Sequence, residues 1–313
     1  MNIGFDMMGG DYAPKEAVDG LRMYLSEVSS PAKVFCIGQQ ENVAPLLEAA
    51  GISDKVVLVH APEVVGYNEH PAKALKEKQQ SSIAVGFGLL AKEKIDAFIS
   101  AGNTGAMLAG TMFTIKAIPG IIRPTIGTIV PKLDGTTSLL LDVGLNADCK
   151  PEQLNQFATL GAIYAQSILG VATPKVGLLN VGEEETKGNA LAQATYPLLK
   201  ANSQINFIGN IEGRDILTGN ADVMVCDGFT GNIVLKLAES LYDIAKARSL
   251  AEDGFFSRFH YENYGGTPVL GVAKPVIIGH GISSAKAFAN MLHLASKMIA
   301  TNVCGNIQSH FTA

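Results

Sequence analysis

A chain of 313 residues that is 47% hydrophobic and only 17% charged carries enough apolar side chain for a large core, which excludes a disordered segment. Its 24 basic residues are outnumbered by 29 acidic ones, a net charge of −5, which disfavours a general nucleic-acid binder. Cys36, Cys149, Cys226 and Cys304 lie far apart without C-x-x-C spacing and read as reduced thiols of a cytosolic protein.

The N-terminus opens on a strand pattern without a signal-peptide signature. The least charged long stretch, 157–171, is shorter than the ~20 apolar residues of a membrane span. Residues 3–5 read as the first strand, followed by Asp6-Met7-Met8-Gly9-Gly10-Asp11. A helical pattern over 14–26 has Pro14 near its first turn, 34–38 is a strand, 41–50 a helix closed by Gly51, and 56–60 a strand. This alternation predicts βαβ units and a parallel sheet. In 68–82, Lys73 and Lys76 lie three apart on one helix side. They form either an ordinary solvated face or a dock for a phosphate-bearing or acidic partner. A helix over 82–92 leads into a strand at 95–100, then Ala101-Gly102-Asn103-Thr104-Gly105-Ala106, then a helix opening at Met107.

Residues 123–131, a proline-bounded apolar segment, and 138–142 predict an antiparallel pair about the Leu133-Asp134-Gly135 turn. The second strand ends on Asp142, either a cap or a site carboxylate. A helix over 151–169 and a strand over 175–179 precede Glu183-Glu184-Glu185-Thr186-Lys187-Gly188-Asn189. Lys187 therefore stands at the carboxyl end of a strand, where open α/β sheets build their sites. A strand at 205–208 is followed by a loop over 209–215. The strand 223–226 then runs into Asp227-Gly228-Phe229-Thr230-Gly231-Asn232, and apolar residues recur at Val234, Leu237, Leu241 and Ile244 with helical period. Strand, glycine loop and helix make an anion site, or simply a capped turn. The likeness to the 101–106 loop suggests one phosphate-bearing ligand lying between the two. Cys226, just before this loop, is a candidate nucleophile.

Residues 241–263 read as a helical excursion in which Phe255, Phe256 and Phe259 accompany Arg248 and Arg258. Such a segment meets a membrane surface, a second protomer or the core. The last strand, 275–278, leads to His280, Ser283 and Ser284 in a glycine-serine loop and a helix from Ala285. No P-loop, G-x-S-x-G elbow or H-E-x-x-H occurs, and no linker divides the chain, so 1–313 is expected to form a single α/β domain.

The segments FDMMGGDYAP, ISAGNTGA, LLDVGLNADC, LLNVGEEETKGN, GNIEGRDI, CDGFTGN, YGG and GHGISSAK run from Phe5 to Lys286. On them the chain resembles the PlsX family of bacterial phosphate acyltransferases, which make acyl-phosphate from acyl-[acyl-carrier-protein] and inorganic phosphate. The resemblance implies an α/β fold, a Rossmann-like α/β/α sandwich with a mostly parallel sheet, similar to phosphotransacetylase and isopropylmalate dehydrogenase folds. It implies a homodimer in the cytoplasm, peripherally associated with the cytoplasmic face of the membrane and feeding phospholipid synthesis from long-chain substrates. No cofactor, metal or nucleic acid is expected.

Lys187 and His280 are the expected catalytic residues, with Lys73 and Lys76 docking the carrier protein. Phosphate or substrate is expected at Asp6, Gly9 and Gly10, at Gly102, Asn103, Thr104 and Gly105, and at Asp142, Asn146 and Asn189. The same holds for Asp227, Gly228, Thr230, Gly231 and Asn232, and for Ser283 and Ser284. Phosphate is a nucleophile at neutral pH, so no covalent intermediate is required. Backbone N–H groups of the Gly102–Gly105 and Gly228–Gly231 loops suit a dianion. Three other readings stand beside this one: a phosphotransacetylase-type enzyme using coenzyme A thioesters, a dehydrogenase of related fold, and a non-catalytic, membrane-associated protein that binds the acyl carrier.

Overall fold

The computed structural model describes residues 1–250 and 253–312, so residues 251 and 252 of the predicted 241–263 excursion lie outside the described residues. The chain divides into two compact units, Met1–Ala117 with Tyr261–Ala300, and Ile118–His260 with the segment from Thr301.

The first unit begins with β1 (Asn2–Asp6), α1 (Lys15–Glu27), β2 (Lys33–Gly38), α2 (Gln40–Ala49) and β3 (Val57–His60). Then come α3 (Pro71–Glu77), α4 (Ser82–Ala91), β4 (Ala97–Ser100) and α5 (Thr104–Gly110). β1 lies between β2 and β4, parallel to both, with Ile3 opposite Val34 and Ala97. Helices cover both faces, so Ile3, Phe5, Val34, Phe98 and Ile99 are all buried, as a continuous apolar run requires. The parallel βαβ expectation holds here. α5 starts at Thr104 rather than Met107, because the Asn103 side chain caps it through the Ala106 N–H at 2.9 Å.

In the second unit, β5 (Thr125–Pro131) and β6 (Thr137–Leu141) form the expected antiparallel pair. They are followed by α6 (Pro151–Tyr164), β7 (Lys175–Asn180), α7 (Ala190–Ala201), β8 (Asn206–Glu212), α8 (Asp215–Thr218), β9 (Val223–Val225) and α9 (Gly228–Ala247). The sheet order is β5-β6-β9-β7-β8, parallel from β6 onward. β8 continues through Gly209 and Asn210, which the sequence reading assigned to a loop. The Asn210 side chain is tied to the Glu184 carbonyl at 2.8 Å and holds the strand on course.

The chain then returns to the first unit as β10 (Thr267–Leu270), β11 (Val276–Ile278) and α10 (Ala285–Ala300), and ends in the second as α11 (Val303–Thr312). β11 pairs parallel with β4, and β10 antiparallel with β11, which gives the order β3-β2-β1-β4-β11-β10. β10 and α11 have no counterpart in the sequence reading. Both units are α/β, with a mostly parallel sheet and flanking helices.

The 241–263 segment is not one continuous helix. α9 ends at Ala247, Ser249 takes a left-handed φ of 58°, and Phe256–Phe259 and Tyr261–Tyr264 are separate 3-10 turns.

Candidate active site

The predicted site residues fall into one group in each unit. In the first, the loops after β1, β4 and β11 meet. Asp6 is buried, and its carboxylate accepts the Met8 N–H at 2.9 Å and the Ser100 hydroxyl at 2.7 Å. Burial pushes this carboxyl above its ordinary value, opposed by hydrogen bonds from Ser100, Ser82, Met8 and Gly9. The Ser100 hydroxyl in turn accepts the Gly102 N–H at 3.0 Å. Gly9 must be glycine: a Cβ there would approach the Asp6 carboxylate to 2.8 Å. Gly10 adjoins Asp11, whose N–H donates to the Gly281 carbonyl at 2.7 Å, and the Gly279 N–H donates to Ser100 at 2.8 Å, so the three loops are sewn together.

His280 packs against the Tyr261 ring, with centroids 5.0 Å apart. The Ser283 hydroxyl and N–H both donate to the His280 carbonyl, at 2.6 and 3.0 Å, so Ser283 shapes the loop, while Ser284 stays half-buried. The Asn103 amide donates to the Gly66 carbonyl at 2.9 Å, and Gly105 and Thr104 open α5 beside it. Gly102 and Asn103 thus spend their polar groups inside the fold.

In the second unit the loops after β6, β7 and β9 meet. The buried Asp142 carboxyl accepts N–H groups from Gly144 and Leu145 at 3.2 Å and from Asn146 at 2.7 Å, and the Asn146 amide at 2.7 Å. Burial raises its pKa, and the Asn146 amide pulls hardest the other way. The Gly228 N–H reaches the Asn146 carbonyl at 2.7 Å, which joins the β6 and β9 loops. Asp227 caps α9: its carboxylate accepts the Thr230 N–H at 2.8 Å and the Thr230 hydroxyl at 2.9 Å, and its carbonyl accepts the Gly231 N–H at 3.0 Å. The Thr230 and Gly231 N–H groups are therefore used within the loop, and that of Gly228 on the neighbouring β6 loop. Asn232 is exposed one residue further on.

Lys187 ends a turn after β7. Its side chain is 51% exposed, with Glu184 at 4.0 Å. The Lys187 carbonyl accepts from the Asn180 amide at 3.1 Å, and Asn189 caps α7 through Ala192 at 2.9 Å. The expected phosphate loops, 102–105 and 228–231, belong to different units.

Cys226 is buried and its thiol is pushed well above the ordinary value by desolvation, and Cys149 is pushed up to about 12 by burial. A thiolate is the reactive form, so Cys226 does not fit a nucleophile. Lys73 and Lys76 are exposed on α3, whereas Lys78 is tied to Glu69 at 2.6 Å. Among the aromatics of 241–263, Phe259 is buried, and Arg258 donates to the Lys132 and Thr136 carbonyls at 2.9 and 2.6 Å. Arg258 thereby braces the β5–β6 pair and Phe259 packs inward, roles that neither residue type nor spacing announces. Among the described residues no three His, Cys, Asp or Glu side chains gather as metal ligands, and no helix is long and apolar enough to cross a membrane.

A family model described as fatty acid synthesis protein matches residues 1–306. The chain is 44% identical to the phosphate acyltransferase of Dictyoglomus turgidum over 97% of this chain and 95% of that protein. It is 40% identical to the phosphate acyltransferase of a Nostoc species, over 99% and 96%. Among solved structures, a phosphotransacetylase from Streptococcus pyogenes superposes with a TM-score of 0.68 at 18% identity, covering 96% of this chain and 94% of that one. A branched-chain phosphotransacylase from Enterococcus faecalis does so with a TM-score of 0.64 at 16% identity, covering 96% and 99%. These last two likenesses show the fold alone.

Proposed function

The chain belongs to the fatty acid synthesis protein family, among relatives that are phosphate acyltransferases, and from that premise we propose that it transfers the acyl group of a long-chain acyl-[acyl-carrier-protein] to inorganic phosphate. The observation that carries this reading is Lys187, an outward-facing ammonium at the carboxyl end of β7, on a loop that shares a cavity with the Asp227–Thr230 turn. A phosphate oxygen attacks the thioester carbonyl and forms the C–O bond. The negative charge that develops on the carbonyl oxygen is met by Lys187. The C–S bond then breaks and the thiolate leaves, to be protonated by water. A thiol with a pKa of about 8.5 is a good enough leaving group to need little acid help.

His280 is proposed as the second catalytic residue. Asp6, Asp142 and Asp227 are proposed as organisers of their loops, since a carboxylate facing phosphate would repel it. Lys73 and Lys76 are proposed as the carrier-protein dock, and the whole chain as one acyltransferase. The 241–263 segment is proposed to meet a second copy or the cytoplasmic face of a membrane; Ile244 within it, and Phe229, Ile233 and Leu237 earlier on α9, are more than half exposed, which supports such a partner.

The test is direct. Purified protein is mixed with long-chain acyl-carrier-protein and labelled phosphate, and the label is followed into acyl-phosphate. A coenzyme A thioester of the same acyl group should react at least about tenfold more slowly. Thioester that persists whatever the phosphate concentration would count against the reading.

A further inference from the structure

Lys187 is carried by the loop after β7, and its ammonium is placed only as firmly as that loop is held. The turn beneath it is closed by one backbone bond, from the Lys187 N–H to the Glu184 carbonyl at 3.0 Å. Two asparagines tie this turn to the sheet. The Asn210 amide, on β8, donates to the same Glu184 carbonyl at 2.8 Å. The Asn180 amide, at the last residue of β7, donates to the Lys187 carbonyl at 3.1 Å. Both ends of the Glu184–Lys187 turn are therefore anchored. The direction of the side chain follows from Gly182, where a Cβ would lie 3.1 Å from Lys187 Cγ and 3.5 Å from Cδ, so the lysine stem runs across that glycine. Glu185 is drawn off to Lys200 at 2.6 Å.

Asn210 is an expensive way to build a strand. It is 6% exposed, and its Oδ1 has no hydrogen-bond partner among the described residues. An amide oxygen buried unpaired is unfavourable, and a leucine of nearly the same shape would avoid it. Leucine would also suit the position, opposite Leu178 in the β7–β8 register. Without the Asn210 donor the Glu184 carbonyl would still hold the Lys187 N–H, and β8 would keep its pairing with β7 through Ile211 and Glu212. What the amide alone provides is the tether on the loop.

We propose that Asn210 and Asn180 are positioning residues that act through Lys187, holding its ammonium where charge develops on the thioester carbonyl oxygen. The inference rests on the acyltransferase reading and on the part Lys187 plays in it. A misplacement of about 1 Å can cost on the order of a hundredfold in rate. The thioester is uncharged at that oxygen until the transition state, so the loss falls on kcat and leaves KM alone.

The experiment compares wild type, Asn210→Leu, Lys187→Ala and the double variant, each as the whole protein, with hexadecanoyl-carrier-protein and labelled phosphate. Asn210→Leu should have a urea midpoint equal to wild type or higher, a kcat about tenfold to a hundredfold lower, and a KM for the thioester within about twofold. In the Lys187→Ala background the same substitution should cost less than about twofold more, because the group it positions is gone. A wild-type kcat in folded Asn210→Leu overturns the proposal. So does a loss repeated in full on top of Lys187→Ala, which would mean that Asn210 acts on something else. If Asn210→Leu does not fold, Asn180→Ala is put through the same cycle, and an unchanged kcat or a fully repeated loss overturns the proposal equally. Near-wild-type turnover by Lys187→Ala overturns the positioning role while the acyltransferase reading stands. A wild-type protein that makes no acyl-phosphate refutes that reading and the proposal with it.

Discussion

The first turn of α9 presses on the end of β6 so closely that a Cβ on Gly231 would overlap the Asp142 carbonyl. Neither partner can yield easily. Gly231 donates its N–H to Asp227, and Asp142 is held by Gly144, Leu145 and Asn146.

Gly231→Ala should therefore destabilise the protein by about 1–3 kcal/mol, the range for overpacking, and lower turnover because Asp227 and Thr230 shift with the turn. Gly88→Ala is the comparison. It lies in α4 with nothing within 4 Å of an added Cβ, and should stabilise by about 0.5–1 kcal/mol. Urea unfolding of the two variants checks both signs.

Lys187→Ala should leave the unfolding midpoint close to wild type, since the side chain is half exposed and its nearest carboxylate is 4.0 Å away. Phosphorolysis should fall by at least about a hundredfold, the lower range for losing one oxyanion donor. Near-wild-type turnover at saturating phosphate would remove Lys187 from the mechanism.

Asp6 makes stability depend on pH in an identifiable direction. Its folded pKa lies above the ordinary 3.8, because burial disfavours the charged form more than its hydrogen bonds favour it. A raised folded pKa means that the contribution is complete below the unfolded value and is lost as pH rises through the folded one. Asp6→Asn cannot ionise. The wild-type-minus-variant difference in urea midpoint should therefore decrease as pH rises from below the ordinary carboxyl value through the raised folded one. A difference that stays flat or increases contradicts this.

The exposed stripe on α9 gives a separate test. Leu237→Asp with Ile244→Asp should reduce the mass measured by light scattering, or abolish flotation with anionic liposomes, while the unfolding midpoint changes little. Wild-type mass and flotation together would show that this face has no partner. Phe259→Ala should behave differently. It is buried, and its loss should cost about 3–5 kcal/mol without altering either association readout in the folded fraction.

Much of this was legible in the sequence, for a physical reason. Strands covered on both faces must be apolar throughout, and the loops that leave them must be polar, so β1, β4, β7 and β9 and their loops could be found by composition alone. What composition could not report was where the polar groups of those loops go. The Gly228 N–H is satisfied by Asn146, and the Asn103 amide by Gly66, partners 82 and 37 positions away. A loop that looks ready for phosphate can thus be spending its donors on itself. The same limit explains Arg258, whose guanidinium reaches back 126 residues to Lys132. β10 was missed because Gly265 and Gly266 open a loop and Pro268 follows them, yet Thr267 and Pro268 lie opposite Ile278 and Ile277 of β11.

The return of the chain to its first unit has a consequence for synthesis on the ribosome. β4 is complete once residue 100 has been made, but the strand that covers its edge, β11, ends at residue 278. At usual elongation rates the intervening stretch takes roughly 10 to 40 s to produce. For that interval the nascent first unit presents a bare, apolar parallel edge, the surface that other chains can pair with. The second unit, by contrast, has all five of its strands in one unbroken run from β5 to β9 and can complete its sheet while the first still waits. Release of a chain that stops before residue 276 should therefore yield aggregation seeded by its N-terminal part, the part translated first.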